Sequence, residues 1–278
     1  MRGFLIAGVL SVIAGAVAGE VSVERGEYLV RGPAGCGNCH TPQTPNGPDM
    51  SKEFGGMMVD KNPAFEAWAV NITPASRVGA WSDDEFARAI REGIRPDGTV
   101  IGPPMPITLY RGLSDDDLYS IVAFMRTVAA VDTQTPTSTY NIPLPPAYGP
   151  PIDTVPSIPR GVTVAYGEYF AGPVAHCMEC HTPMGDMGPK FDTHLGAGGF
   201  EFHGPWGTSI SANLTSHEDG LAGYSDDEIK MMITQGIRPD GTRMMPPMGY
   251  AHYAAMTEGD LDAVVLYLRQ LPPLPDVN

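Results

Sequence analysis

Two five-residue stretches constrain this chain more than any other feature: Cys36-Gly37-Asn38-Cys39-His40 and Cys177-Met178-Glu179-Cys180-His181. Both read C-x-x-C-H, the attachment signature of a c-type haem. The spacing follows from the chemistry. Two thiols add to the two vinyl groups of one porphyrin, and a turn of helix with two intervening residues sets them the right distance apart. The adjoining imidazole then lies beneath the iron. The intervening residues carry no chemistry, and they differ between the two copies. A lone motif is equally compatible with a zinc or thiol-redox site. Here each motif is followed by Thr-Pro (Thr41-Pro42, Thr182-Pro183), and the two together use all 4 cysteines. A zinc site of four thiolates would leave both adjacent histidines unexplained. The expected cofactors are two covalently attached haem c groups, on Cys36 and Cys39 and on Cys177 and Cys180, with His40 and His181 as proximal iron ligands.

The rest of the chain repeats with the motifs. Gly26-Glu27-Tyr28 matches Gly167-Glu168-Tyr169, Asn71-Ile72-Thr73 matches Asn213-Leu214-Thr215, and Trp81-Ser82-Asp83-Asp84-Glu85 matches Tyr224-Ser225-Asp226-Asp227-Glu228. Gly93-Ile94-Arg95-Pro96-Asp97-Gly98 recurs from Gly236 to Gly241, and Pro103-Pro104-Met105 recurs as Pro246-Pro247-Met248. The sequence therefore predicts two copies of one haem-binding domain, at 19–130 and 162–278. The segment 131–161 between them holds eight prolines. It is expected to be extended and semi-rigid, with no helix interior.

Each copy predicts three helices. The first leads into the haem motif. The second opens on a capping box, Ser82-x-x-Glu85 or Ser225-x-x-Glu228, and stops near a glycine. The third opens at Ser114 or Thr257 and carries one apolar stripe, such as Leu118, Ile121, Val122 and Met125. No alternation of strand period stands out, so the expected fold is mainly α and loop-rich.

Each iron needs a second axial ligand. Met105 and Met248 each follow Pro-Pro, at matching places in the repeat, before the last helix. A stiff loop can hold a thioether over the iron, and methionine opposite histidine raises the potential. Met245, the nearest rival to Met248, aligns with Gly102 instead. Arg95 and Arg238 sit in identical loops and suit a haem propionate, with a loop-stabilising ion pair as the plain alternative. His176, His194, His203, His217 and His252 are expected in surface or supporting roles.

A formal charge of −15 argues against nucleic acid or anionic lipid as partners and suits a basic patch on a protein partner. Arg2, the apolar run Phe4 to Val17 and Ala16-Val17-Ala18 read as a secretory signal over residues 1–18. The expected location is periplasmic.

This ordered set of motifs, with Asp-Leu-x-x-[Ile/Val]-Val in the last helix, resembles the cytochrome c subunits of bacterial periplasmic dehydrogenases of the alcohol, aldehyde and gluconate type. The resemblance covers about residues 22 to 130 and 162 to 272. It implies two tandem class I-like cytochrome c domains with His/Met iron. It also implies a relay role: single electrons pass from a dehydrogenase donor to an oxidase or cytochrome acceptor, with no substrate chemistry in the chain itself. Many such subunits carry three haem motifs, against two here, and many end in a membrane-binding segment. The proline-rich, polar residues 271–278 do not read as one, which leaves peripheral membrane association open. The competing reading is a diheme enzyme, such as a thiosulfate dehydrogenase or a cytochrome c peroxidase. Matching Pro-Pro-Met loops speak against the peroxidase, and the absence of a fifth cysteine speaks against the thiosulfate enzyme.

Overall fold

A computed structural model of the protein describes residues 19–185 and 188–277. The signal segment expected at 1–18 lies outside them. In the first half, α1 (Val23–Arg31) begins where the Ser22 hydroxyl accepts from the Arg25 N–H. The one-turn helix α2 (Cys36–His40) follows. Next come a small β1 (Gln43–Thr44) and β2 (Gly47–Pro48) pair and the hairpin of β3 (Met57–Lys61) and β4 (Phe65–Ala69). The half closes with α3 (Asp83–Arg91), the short α4 (Ile107–Tyr110) and α5 (Asp115–Met125). The strand β5 (Thr139–Tyr140) then joins β4 as the third strand of its sheet.

The second half repeats the order. It runs α6 (Val164–Tyr169), α7 (Cys177–Cys180), the pair β6 (Met184–Gly185) and β7 (Gly188–Pro189), and α8 (Phe191–His194). The hairpin of β8 (Glu201–Gly204) and β9 (Gly207–Ile210), then α9 (Asp226–Gln235), α10 (Tyr250–Tyr253) and α11 (Glu258–Leu268) complete it. Both capping boxes form, at Ser82/Glu85 and Ser225/Glu228. Gly236 stops α9 in the left-handed region, at φ 64°.

The hairpins correct the expectation of helix and loop alone. They escape a period-two reading for physical reasons. A register shift between Met58 and Asp60 breaks the β3 alternation, and β8 and β9 are short and half-exposed. Alternation is legible only where one face is consistently buried.

α1 crosses α5, and α6 crosses α11, at the glycine of the Gly-Glu-Tyr motif. A Cβ on Gly26 would lie 1.9 Å from the Ser120 carbonyl oxygen, and one on Gly167 would lie 1.9 Å from that of Ala263. Only a hydrogen fits at either crossing. Buried apolar residues of both halves, from Leu29 to Leu271, join one continuous cluster.

The arginine that ends each last helix ties that helix to the start of the capping-box helix. Arg126 donates to the carbonyls of Val78 and Trp81 and to Asp83. Arg269 donates to the carbonyls of Leu221 and Tyr224 and to Asp226. Arg269→Ala is expected to cost about 2 kcal/mol in denaturant unfolding, the value of a charged hydrogen-bond set. Arg269→Lys recovers only part of this, because one ammonium cannot match a planar fork reaching three acceptors.

Residues 131–161 contain no helix and lie along the first half. Tyr140 donates to the Pro103 carbonyl at 2.9 Å, and Tyr148 to that of Ile101 at 2.9 Å. The Pro150 carbonyl accepts from Arg111 at 2.6 Å, and the Val155 carbonyl from the Asp115 N–H at 3.0 Å.

Candidate haem sites

The two C-x-x-C-H stretches each form one turn of helix, α2 and α7, and all four thiols are free. Burial pushes Cys36, Cys177 and Cys180 up to about 12 and Cys39 up to about 11. A redox C-x-x-C needs the opposite, a thiol whose pKa is lowered. Among the described residues no group of three or more His, Cys, Asp or Glu converges as a bare-metal site.

Both candidate proximal histidines are held the same way. His40 Nδ1 lies 2.7 Å from the Val70 carbonyl oxygen, and His181 Nδ1 lies 2.7 Å from that of Ala212. A carbonyl can only accept, so Nδ1 carries the proton and Nε2 is left with its lone pair for a metal. Burial holds both rings below the ordinary histidine pKa, which favours this neutral form. The residues therefore fit a haem iron. The threonine after each motif is buried and serves the turn. Thr41 Oγ1 accepts from the Phe54 N–H at 3.1 Å, and Thr182 Oγ1 from the Gly196 N–H at 3.2 Å.

Met105 and Met248 occupy matching loops. Each follows a cis Pro-Pro bond, and each carbonyl accepts from the N–H two residues on, Ile107 at 2.8 Å and Tyr250 at 3.0 Å. Both side chains are half-buried. Arg95 is half-buried and donates to Thr99 Oγ1 at 3.2 Å and the Val100 carbonyl at 2.8 Å. Burial and the neighbouring Arg77 charge lower its pKa, a setting that an added anion would relieve. Arg238 is exposed in the matching loop. Asn71 and Asn213 cap turns: the side-chain oxygen of each accepts from the N–H two residues on, while its amide reaches Val131 or Leu274.

The structure also brings together residues whose grouping the sequence did not reveal. His176 takes the left-handed conformation, φ 42°, where the first half has Gly35 at φ 55°. Its ring meets the buried Tyr110 ring edge-on at 6.0 Å, and Nδ1 lies 3.8 Å from Glu179. His252 Nδ1 lies 3.0 Å from the Arg31 carbonyl oxygen. Both histidines therefore link one half to the other. The remaining three stay local, His194 against Thr193, His203 against Thr208 and His217 against Asp219.

Burial pushes His176 down to about 4 from 6.5. A buried neutral histidine takes up its proton more readily unfolded, so its contribution to stability is present above pH 6.5 and is lost as pH falls towards 4. The ceiling is about 3 kcal/mol. Glu179, raised to about 8 by burial, runs the other way and weakens the fold as pH rises. The prediction concerns the slope of unfolding free energy between pH 6.5 and 4. It should be less positive in His176→Gly than in the parent protein, because the opposing Glu179 slope is then no longer offset.

Helices crossing at glycine, a C-x-x-C-H turn, a carbonyl-oriented histidine and a methionine loop define a c-type cytochrome class of site. Residues 167–272 match the family model described as cytochrome c, so the chain carries a cytochrome c domain, with the covalent haem c that such a domain implies. Along nearly its whole length the chain is similar to cytochrome c subunits of dehydrogenases. It is 31% identical to that of a quinone alcohol dehydrogenase from Gluconobacter oxydans, over 93% of this chain and 56% of the relative. It is 29% identical to the cytochrome subunit of a fructose dehydrogenase from Gluconobacter japonicus, over 92% of this chain and 54% of the relative. A diheme cytochrome c-type protein from Cereibacter sphaeroides is 23% identical over 93% of this chain and 88% of its own length. The chain thus spans about half the length of the dehydrogenase subunits. No helix among the described residues is long and apolar enough to cross a membrane.

Proposed function

We propose that this chain is a periplasmic diheme cytochrome that relays single electrons from a dehydrogenase to a respiratory acceptor. It is built as two tandem cytochrome c domains, 19–130 and 162–278, joined by the proline-rich linker 131–161. Each domain holds one haem c, the first on Cys36 and Cys39 and the second on Cys177 and Cys180. When bound, this group supplies one-electron exchange between ferric and ferrous iron.

The chain's own residues do the rest. His40 and His181 present Nε2 from rings fixed through Nδ1. Met105 and Met248 supply the opposing thioethers, and Arg95 and Arg238 face the propionates. The observation that carries the reading is the identical histidine geometry in both halves, 2.7 Å from Nδ1 to a backbone carbonyl. The matching Pro-Pro-Met loops in both halves speak against an enzyme that opens one iron. The similarity to dehydrogenase cytochrome subunits supports a dehydrogenase as donor.

The test is a pyridine haemochrome assay with intact mass on the matured protein, followed by rapid mixing with a reduced quinone-type dehydrogenase. Two covalent haems per chain, both reduced by the enzyme, are expected. One haem, or reduction by small reductants only, overturns the reading.

A further inference from the structure

The tyrosine of each Gly-Glu-Tyr motif reaches out of its own half and into the other. The Tyr28 hydroxyl donates to the Asp260 carboxylate and accepts from the Thr257 N–H at 3.2 Å. Those two residues form the N-cap of α11, where the Thr257 hydroxyl accepts from the Asp260 N–H. The Tyr169 hydroxyl donates to Asp117 at 2.8 Å and lies 3.0 Å from the Ser114 hydroxyl, the equivalent cap of α5. Each half thus binds the other at the same place, as in an isologous dimer written into one chain.

The latches are built on buried charge. Asp117 also takes Arg25 in two hydrogen bonds of 2.7 and 2.9 Å, and both residues are buried. Such a pair is well determined in geometry and costly to break.

The latches bring the haem-attachment turns together. The segment between methionine loop and last helix of each half lies on the other half's attachment turn. In the second half, His252 bonds the Arg31 carbonyl, and a Cβ on Gly37 inside the first motif would sit 3.7 Å from its ring. In the first half, the Tyr110 ring meets His176 edge-on, and His176 immediately precedes the second motif. A Cβ on Gly112 would meet the Pro173 ring at 2.6 Å.

We infer that Tyr28 and Tyr169 are positioning residues that set the distance between the two haems, so that the electron crosses directly at the facing attachment turns. The exchange would be of a single electron, one iron oxidised as the other is reduced, with no bond made or broken. This inference rests on the diheme relay reading. It assigns a role to a motif whose tyrosine the haem sites themselves do not use.

The experiment is pulse radiolysis of the diheme protein, with internal electron exchange followed after one haem is reduced. The variants are Tyr28→Phe, Tyr169→Phe and the double change. Tyr119→Phe is the control, because Tyr119 donates at 2.7 Å to Asp84 within the first half. The double variant is expected to slow internal exchange on the order of tenfold or more, since small displacements of reacting centres carry steep penalties. Its visible spectra and single-haem potentials should stay unchanged, and Tyr119→Phe should leave the rate unchanged. If the double variant does not fold, each single variant keeps one latch and is expected to show a smaller slowing.

An unchanged rate in a variant whose interface exchanges amide hydrogen faster than the parent would overturn the inference, as would a slowing equalled by Tyr119→Phe. Altered haem spectra would overturn it too, by placing the tyrosines' action inside a haem site. No internal exchange in the parent protein would instead sink the relay reading itself.

Discussion

Met248→Ala is expected to lower the midpoint potential of one haem and leave the other in place, and Met105→Ala to do the same for its partner. A thioether opposite histidine favours ferrous iron, and axial ligands tune haem potentials across roughly 0.8 V. The expected drop is on the order of 0.1 V or more. The altered iron should also turn high-spin and bind small ligands, because alanine leaves one position open. Met245→Ala is the control. Met245 is three residues away and exposed, and it should leave both potentials unmoved. Spectropotentiometry of the three variants decides. A shift with Met245 and none with Met248 would move the ligand.

The largest effect on folding should come from Gly26→Ala or Gly167→Ala. The added carbon would sit 1.9 Å from a backbone carbonyl oxygen of the crossing helix, at Ser120 or Ala263. No rotamer can relieve this clash, so two helices must separate. Overpacking a core with flexible neighbours costs about 1 to 3 kcal/mol. With backbone on one side the loss should exceed about 3 kcal/mol, a large share of a typical domain's stability. Gly259→Ala provides the comparison. Its Cβ would meet nothing within 4 Å in the first turn of α11, so it should be neutral or stabilise by up to about 1 kcal/mol. Urea unfolding of the three proteins tests this. A Gly26→Ala protein as stable as the parent would mean the helices do not cross there.

The helices were legible because their signals are local. Ser82, Ser225, Ser114 and Thr257 mark their own N-caps, and Gly236 its own stop. The candidate haem-attachment residues stand out in the sequence because two thiols and an imidazole at fixed spacing leave few alternatives. The hairpins were not legible, since a bulge at Met58 and the half-exposure of β8 and β9 erase the alternation. The partners of His40 and His181 were hidden for another reason. Val70 and Ala212 act through their carbonyls, 30 and 31 residues away, and no side chain announces them.

The Gly-Glu-Tyr motif shows the same limit more sharply. Its recurrence was visible, but its purpose depends on two long-range meetings, Gly26 with Ser120 and Tyr28 with Asp260. Asn71 and Arg95 fall between. Their recurrence marked them, and the folded chain resolves Asn71 as a turn cap, while Arg95 reaches its own loop at Thr99 and Val100.

The most direct test of the account is a potentiometric titration of the matured protein, followed by its visible spectrum in both redox states. The account predicts two one-electron transitions from two low-spin haems, each showing methionine–iron charge-transfer absorption when ferric, at fairly positive potentials. A single transition would contradict it. So would one high-spin, low-potential haem that binds small ligands readily, which would point to an enzyme with an open iron.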